Sequence, residues 1–235
     1  MRVVVIIPAY NEERTVGEVV RSVREHIPDV FVVDDGSSDG TGDRARNVGA
    51  MVVRHCVNRG LGAALGTGIA AALRADADAI VTLDADGQHD PAEIATLIAP
   101  IHAGFADMVI GTRFQSPCHC EPQRSNPGHC PHGAPWTRRA FNRIANLLTR
   151  LLFNVHCSDT QSGFRCFSRL AASRIAIRTN RMEVSSEILA EAVRHDLRIT
   201  EVPIRTIYTD YSLSKGQGVG EGVRTAWSLL LRRWL

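Results

Sequence analysis

Ala79-Ile80-Val81-Thr82-Leu83-Asp84-Ala85-Asp86-Gly87-Gln88-His89-Asp90-Pro91 is the stretch from which the rest of this chain can be read. Its first part, 79–83, is apolar and partly β-branched, which predicts a strand buried on both faces. Asp84-Ala85-Asp86-Gly87 ends that run with two carboxylates and a turn residue. Pro91 then suits the first position of a helix, where a missing N–H costs nothing.

The same rhythm continues outward. Val3 to Ile7 reads as a doubly buried strand. Val16, Val19, Val20, Val23 and Ile27 then follow helical spacing, with Glu12 and Glu13 where the helix dipole favours acids. Val30 to Val33 is a second strand, closed by the turn signal Asp34-Asp35-Gly36-Ser37-Ser38-Asp39-Gly40. Asp39 to Asn47 reads as a polar helix with Asp39 as its cap, Met51 to Arg54 as a strand and Ala63 to Arg74 as an Ala-rich helix. Met108 to Gly111 is a fifth strand. This alternation predicts an α/β fold, a mostly parallel central sheet flanked by helices.

The second half is less regular. A long Cys/His-containing loop spans 116–135, a helix 137–153, a turn and short strand 159–167 and a helix 184–195. A strand over 198–207, a Gly/Ser-rich loop over 208–222 and an amphipathic helix over 223–235 complete the chain. With no repeat and no linker, residues 1–235 read as one domain.

Composition sets bounds on function. With 44% hydrophobic and 22% charged residues, 235 residues can bury a sizeable core. A net charge of +2 gives no footprint for nucleic acid. No apolar run reaches the roughly 18 residues of a membrane span, and no leader is visible, so the expected location is cytoplasmic. Arg59-Gly60-Leu61-Gly62-Ala63-Ala64-Leu65-Gly66 lacks the spacing of a dinucleotide fingerprint.

The chemistry collects at strand ends, where open parallel sheets bind ligands. Asp34 and Asp35 close the second strand; Asp84 and Asp86 close the fourth. Two carboxylates one residue apart on a turn can converge on a hard cation, Mg²⁺ or Mn²⁺. Such an ion bridges diphosphate oxygens and neutralises a diphosphate leaving group.

Pro8-Ala9-Tyr10-Asn11-Glu12-Glu13, Val33-Asp34-Asp35-Gly36-Ser37, Asn58-Arg59-Gly60-Leu61-Gly62 and Leu83-Asp84-Ala85-Asp86-Gly87-Gln88-His89 occur in this order. With Ser162-Gly163-Phe164-Arg165 and Glu201-Val202-Pro203-Ile204, they resemble family 2 glycosyltransferases. The resemblance is greatest to the dolichyl-phosphate mannose synthase and polyprenyl-phosphate glycosyltransferase group. It implies a GT-A fold, divided into a nucleotide-sugar half (1–113), an acceptor half with a closing loop (114–222) and the terminal helix (223–235). It assigns Pro8, Tyr10, Glu12, Val33 and Asp35 to base and ribose, and Asp84, Asp86 and Gln88 to metal and diphosphate. Arg113 matches a position near the donor and acceptor phosphates.

Asp159 falls on the acceptor side of the pocket in this resemblance. A hydroxyl acceptor would need it as general base, whereas a lipid phosphate, already ionised, would leave it to orient its neighbours. The implied donor is a nucleotide sugar of the GDP-mannose or UDP-glucose type, and the implied acceptor a polyprenyl phosphate. A sugar hydroxyl is the alternative acceptor.

Thr209 to Gly216 matches the closing loop, with Thr209 where many members carry Arg. Lys215, the single lysine of the chain, lies there and suggests a compact ammonium at the phosphates. Cys118, Cys120, His129, Cys130 and His132 read either as zinc ligands or as part of a flexible acceptor loop. Trp227, Leu230, Leu231 and Trp234, interspersed with arginines, suit either a membrane interface or the domain's own core. The first reading makes the protein peripheral at the inner face of the cell membrane. A nucleotidyltransferase would instead carry a Gly-rich basic loop where Pro8-Ala9-Tyr10-Asn11-Glu12 stands.

Overall fold

The computed structural model describes residues 1–113, 157–180, 183–205 and 207. The expectations for 118–132, 137–153, Thr209, Lys215 and the terminal helix lie outside them. The described part of the chain builds β1 (Val3–Ala9), α1 (Val16–Arg24), β2 (Val30–Asp34), α2 (Thr41–Asn47), β3 (Met51–Arg54) and α3 (Leu61–Arg74). It continues with β4 (Ala79–Thr82), a 3₁₀ turn (Pro91–Glu93), α4 (Ile94–His102) and β5 (Met108–Thr112). From residue 157 onward come β6 (Arg165–Ser168), α5 (Arg169–Arg174), α6 (Val184–Arg194) and β7 (Ile199–Pro203).

The strands form a sheet in the order β3-β2-β1-β4-β6-β5-β7. All neighbours pair in parallel except β6, which runs antiparallel to both β4 and β5. The expected parallel sheet with flanking helices is therefore present, with one reversed strand inside it.

Side-chain alternation explains the unbroken apolar runs. Val4, Ile6, Phe31, Val33, Ile80 and Met108 point into a core with α3, α5 and α6. Val5, Ile7, Val32, Val81 and Val109 point the other way, into a core with α1 and α4. Successive strand residues face opposite sides, so a strand covered on both faces needs apolar residues at every position.

Element ends differ slightly from the sequence reading, each for a local reason. Helix α2 begins at Thr41. Asp39 stands before it, its carboxylate accepting from the Thr41 N–H at 3.0 Å. Pro91 opens a 3₁₀ turn, with Asp90 accepting from the Ala92 N–H, before α4 begins. The expected 198–207 strand stops at Pro203. Beyond it the Arg205 N–H donates to both Glu93 oxygens, at 3.0 and 2.8 Å, and the Ile207 N–H donates to the Gln88 carbonyl at 2.9 Å. The chain thus leaves the sheet edge and crosses to the acidic turn.

Helix α3 lies very close to β1. A Cβ on Gly68 would fall 2.4 Å from Ile6 Cγ2 and 3.2 Å from Val33 Cγ2. We predict that Gly68→Ala lowers the unfolding free energy by about 1–3 kcal/mol through overpacking. Urea denaturation would measure this, and an unchanged midpoint would show that the helix can back away.

Candidate functional site

The parallel strands β1, β2, β4 and β5 all end at one edge of the sheet, and reversed β6 begins there. This edge gathers the described sequence-predicted residues from five separate segments. Asp84 and Asp86 follow β4, and Arg113 follows β5. Asp159 and Gly163 precede β6.

Two contacts fix the acidic turn. The Gln88 N–H donates to Asp86 Oδ1 at 3.0 Å, and His89 Nε2 lies 3.3 Å from Asp84 Oδ2. The His89 ring is buried against Phe164, with centroids 5.0 Å apart, and its Nδ1 has no hydrogen-bond partner. Burial opposes ionisation of Asp84, but the His89 hydrogen bond and the charges of His89, Arg113 and Arg165 outweigh it and lower the pKa. Asp86 moves upward, first from burial and then from the negative charge of Asp84, with Glu12 adding to it.

Acid repelling acid in a shared cleft is the electrostatic setting a divalent cation relieves, and carboxylates are the hard donors such a cation takes. Among the described residues no three His, Cys, Asp or Glu side chains form a complete metal cage. Two carboxylates alone make an incomplete donor set for such a cation.

Backbone shape makes room for Asp84. A Cβ at Gly163 would lie 2.5 Å from both Asp84 oxygens. Thr82 Oγ1 donates to the Gly163 carbonyl at 2.8 Å, which holds that backbone in place.

Arg113 and Asp159 form a two-pronged pair. Arg113 Nε donates to Asp159 Oδ2 at 2.6 Å, and Nη2 to Oδ1 at 2.8 Å. The Asp159 side chain is fully buried, whereas that of Arg113 keeps 25% of its exposure. A carboxylate with both oxygens accepting from a guanidinium is badly placed to take a proton from a substrate.

Arg165 is also buried. Its Nε donates to the Ser162 carbonyl at 2.8 Å and its Nη2 to the Thr160 carbonyl at 2.7 Å, so it braces the turn before Gly163. Burial lowers its pKa, while Cys157, Asp159 and Asp84 pull it back up. The neighbouring Cys157 thiol is pushed up to about 12 by burial and by Glu201, and remains protonated.

On the other side of the edge, the Tyr10 ring stands 46% exposed at the end of β1. Core packing does not explain it. Pro8 and Glu12 are half-buried, and Val33 is fully buried within β2. Glu12 is tied at its backbone, its N–H donating to Thr41 Oγ1 at 2.8 Å. Asp35 is nearly enclosed. Its Oδ1 lies 2.7 Å from His55 Nδ1 and accepts from the Arg59 N–H at 2.9 Å, and its Oδ2 accepts from the Gly60 N–H at 2.7 Å. His55 Nε2 reaches Thr67 Oγ1 at 2.9 Å. Asp35 thus anchors the 59–60 loop at the start of α3.

The family model Glycosyl transferase family 2 matches residues 4–173. The chain belongs to glycosyl transferase family 2. This family 2 enzyme is a hexosyltransferase with a GT-A fold.

It is 35% identical to a UDP-N-acetylglucosamine–dolichyl-phosphate N-acetylglucosaminyltransferase of Methanococcus voltae, covering 96% of this chain and 94% of that one. It is 31% identical to a polyprenol monophosphomannose synthase of Mycolicibacterium smegmatis, covering 96% and 84%. A glucosyl-3-phosphoglycerate synthase of Mycobacterium tuberculosis, solved with Mn²⁺, UDP-glucose and phosphoglyceric acid, superposes with a TM-score of 0.74 at 21% identity. That superposition covers 99% of this chain and 79% of the other.

Sequence reasoning gave no role to His55, His89, Arg165 or Glu201. His89, Arg165 and Glu201 stood within the quoted motifs, but only the folded contacts show what they hold. His55 carried no signal at all.

Gly163→Ala should displace the Asp84 carboxylate and slow transfer by about 100-fold, the usual cost of moving a catalytic group by roughly 1 Å. The melting temperature should change little, because no apolar core is disturbed. Normal initial rates would show that Asp84 is not needed where it now lies.

Proposed function

We propose that this family 2 glycosyltransferase moves a hexosyl group from a nucleoside diphosphate sugar, of the GDP-mannose or UDP-glucose type, to a polyprenyl phosphate. The observation that carries this reading is the Asp84–Asp86 pair at the sheet edge, with the Arg113 and Arg165 charges acting on Asp84. That arrangement suits a diphosphate bound with a cation. Two relatives named for dolichyl-phosphate and polyprenol substrates support the acceptor class.

Pro8, Tyr10, Glu12, Val33 and Asp35 would receive the nucleoside, with the exposed Tyr10 ring against the base and Asp35 shaping the pocket through the 59–60 loop. Asp84 and Asp86, with Gln88 beside them, would hold Mg²⁺ or Mn²⁺. When bound, that ion supplies charge neutralisation for the diphosphate. Arg113 would add positive charge where the leaving group develops negative charge. Lys215 would act on the same phosphates.

The acceptor oxygen attacks the anomeric carbon as the bond to the nucleoside diphosphate breaks, and the centre inverts. A lipid phosphate is already ionised and needs no base, in keeping with Asp159 being committed to Arg113. The sugar-hydroxyl alternative would instead need Asp159 to take a proton while it holds Arg113 with both oxygens. Among the described residues no helix is long and apolar enough to cross a membrane. We place the enzyme as a single domain at the cytoplasmic surface of the membrane, where its lipid acceptor would lie.

A thermal-shift panel of nucleotide sugars with Mg²⁺ and Mn²⁺ should single out one donor, with stabilisation near 2.7 kcal/mol at about 100 times its dissociation constant. Radiolabelled transfer from that donor should favour polyprenyl phosphate over sugar hydroxyls. An Asp84→Asn/Asp86→Asn variant should lose at least about 100-fold in turnover. Normal transfer by that variant would overturn the proposal.

A further inference from the structure

We propose that Glu201, on β7, is a positioning residue for the transfer reaction, holding Arg113 in place through Asp159. The inference rests on the reading of Arg113 as donor-facing, and it goes beyond it by naming what aims the guanidinium.

The contacts form a continuous path. Glu201 Oε1 accepts from the Ser158 N–H at 2.8 Å, Ser158 Oγ at 3.0 Å, Cys157 Sγ at 3.0 Å and the Asp159 N–H at 3.3 Å. One carboxylate oxygen therefore gathers the three-residue segment 157–159 and fixes the backbone from which the Asp159 side chain departs. Ser158 is tied a second time, its Oγ lying 2.7 Å from Thr112 Oγ1 at the end of β5. Asp159 then grips Arg113 with both oxygens.

The geometry has a topological origin. β7 pairs in parallel with β5, and Glu201 lies opposite Ile110, a short step before Arg113 on the same strand edge. The segment 157–159 enters from elsewhere in the chain and meets the end of β5, where Ser158 reaches Thr112; Glu201 on β7 gives it a second anchor. An arginine side chain has many rotamers, and a fixed, planar carboxylate selects one of them. A supporting hydrogen bond of this kind orients the group that does the chemistry.

A plain structural clamp would show the same contacts, so the test separates the two roles. Glu201→Gln keeps an oxygen acceptor and should retain most of the turnover. Glu201→Asp keeps the charge but withdraws it from the segment, and should lower kcat by about 10- to 100-fold with donor KM nearly unchanged. Glu201→Ala should do at least as much if it folds; Glu201→Asp against Glu201→Gln decides the matter if it does not.

The decisive comparison is made on an Arg113→Ala background. There Glu201→Asp should cost nothing further, because the group it positions is gone. An equal loss in both backgrounds, or a loss of melting temperature without a loss of kcat, would overturn the inference. Full activity in Arg113→Ala alone would instead sink the donor-facing reading of Arg113, and the inference with it.

Discussion

One strand running against its neighbours shapes this molecule. β6 is antiparallel to β4 and β5, so its amino end meets their carboxyl ends. A fully parallel sheet would have carried Ser162, Gly163 and the segment before them to the opposite edge. Reversal instead sets Gly163 against the Asp84 carboxylate and Asp159 against Arg113. Both halves of the described chain therefore contribute to one cleft.

That cleft is a problem of charge management. Asp84, Asp86 and Glu12 repel one another, and Asp86 shows the strain by holding its proton more tightly than usual. The charges of Arg113 and Arg165 offset those of the acids; Arg113 is itself paired with Asp159, while Arg165 is hydrogen-bonded to backbone carbonyls. The balance is left incomplete at the acidic turn, where a cation and a diphosphate would complete it. Rigid preorganisation of this kind, with charges already desolvated and aimed, is how electrostatic stabilisation of a leaving group is achieved without reorganisation during the reaction.

Rigidity also explains why several polar residues around the site are so fully bonded. Asp35 holds a loop, Arg165 holds a turn, and Glu201 holds a segment. Each is a charged group used on neighbouring backbone. Tyr10 is the counterexample: a large aromatic residue left exposed at the same edge.

Among the described residues, local pattern alone was enough for the strands, for the helices other than α5 (Arg169–Arg174), and for the acidic ends. Runs such as Val3 to Ile7 and Ala79 to Leu83 are apolar throughout because both sheet faces are covered, and that cause acts residue by residue along the chain. The carboxylates of Asp84 and Asp86 were legible for the same reason, since a strand end and a turn are local features. The direction of β6, the return of Arg205 and Ile207 to Glu93 and Gln88, and the contacts of His55 with Asp35, His89 with Phe164 and Glu201 with Ser158 were not. Those depend on which distant segments meet. Hydrogen-bond partners 20 to 46 residues apart, such as His55 with Asp35 and Arg113 with Asp159, leave no periodic trace in composition. Only the closed sheet brings them within reach.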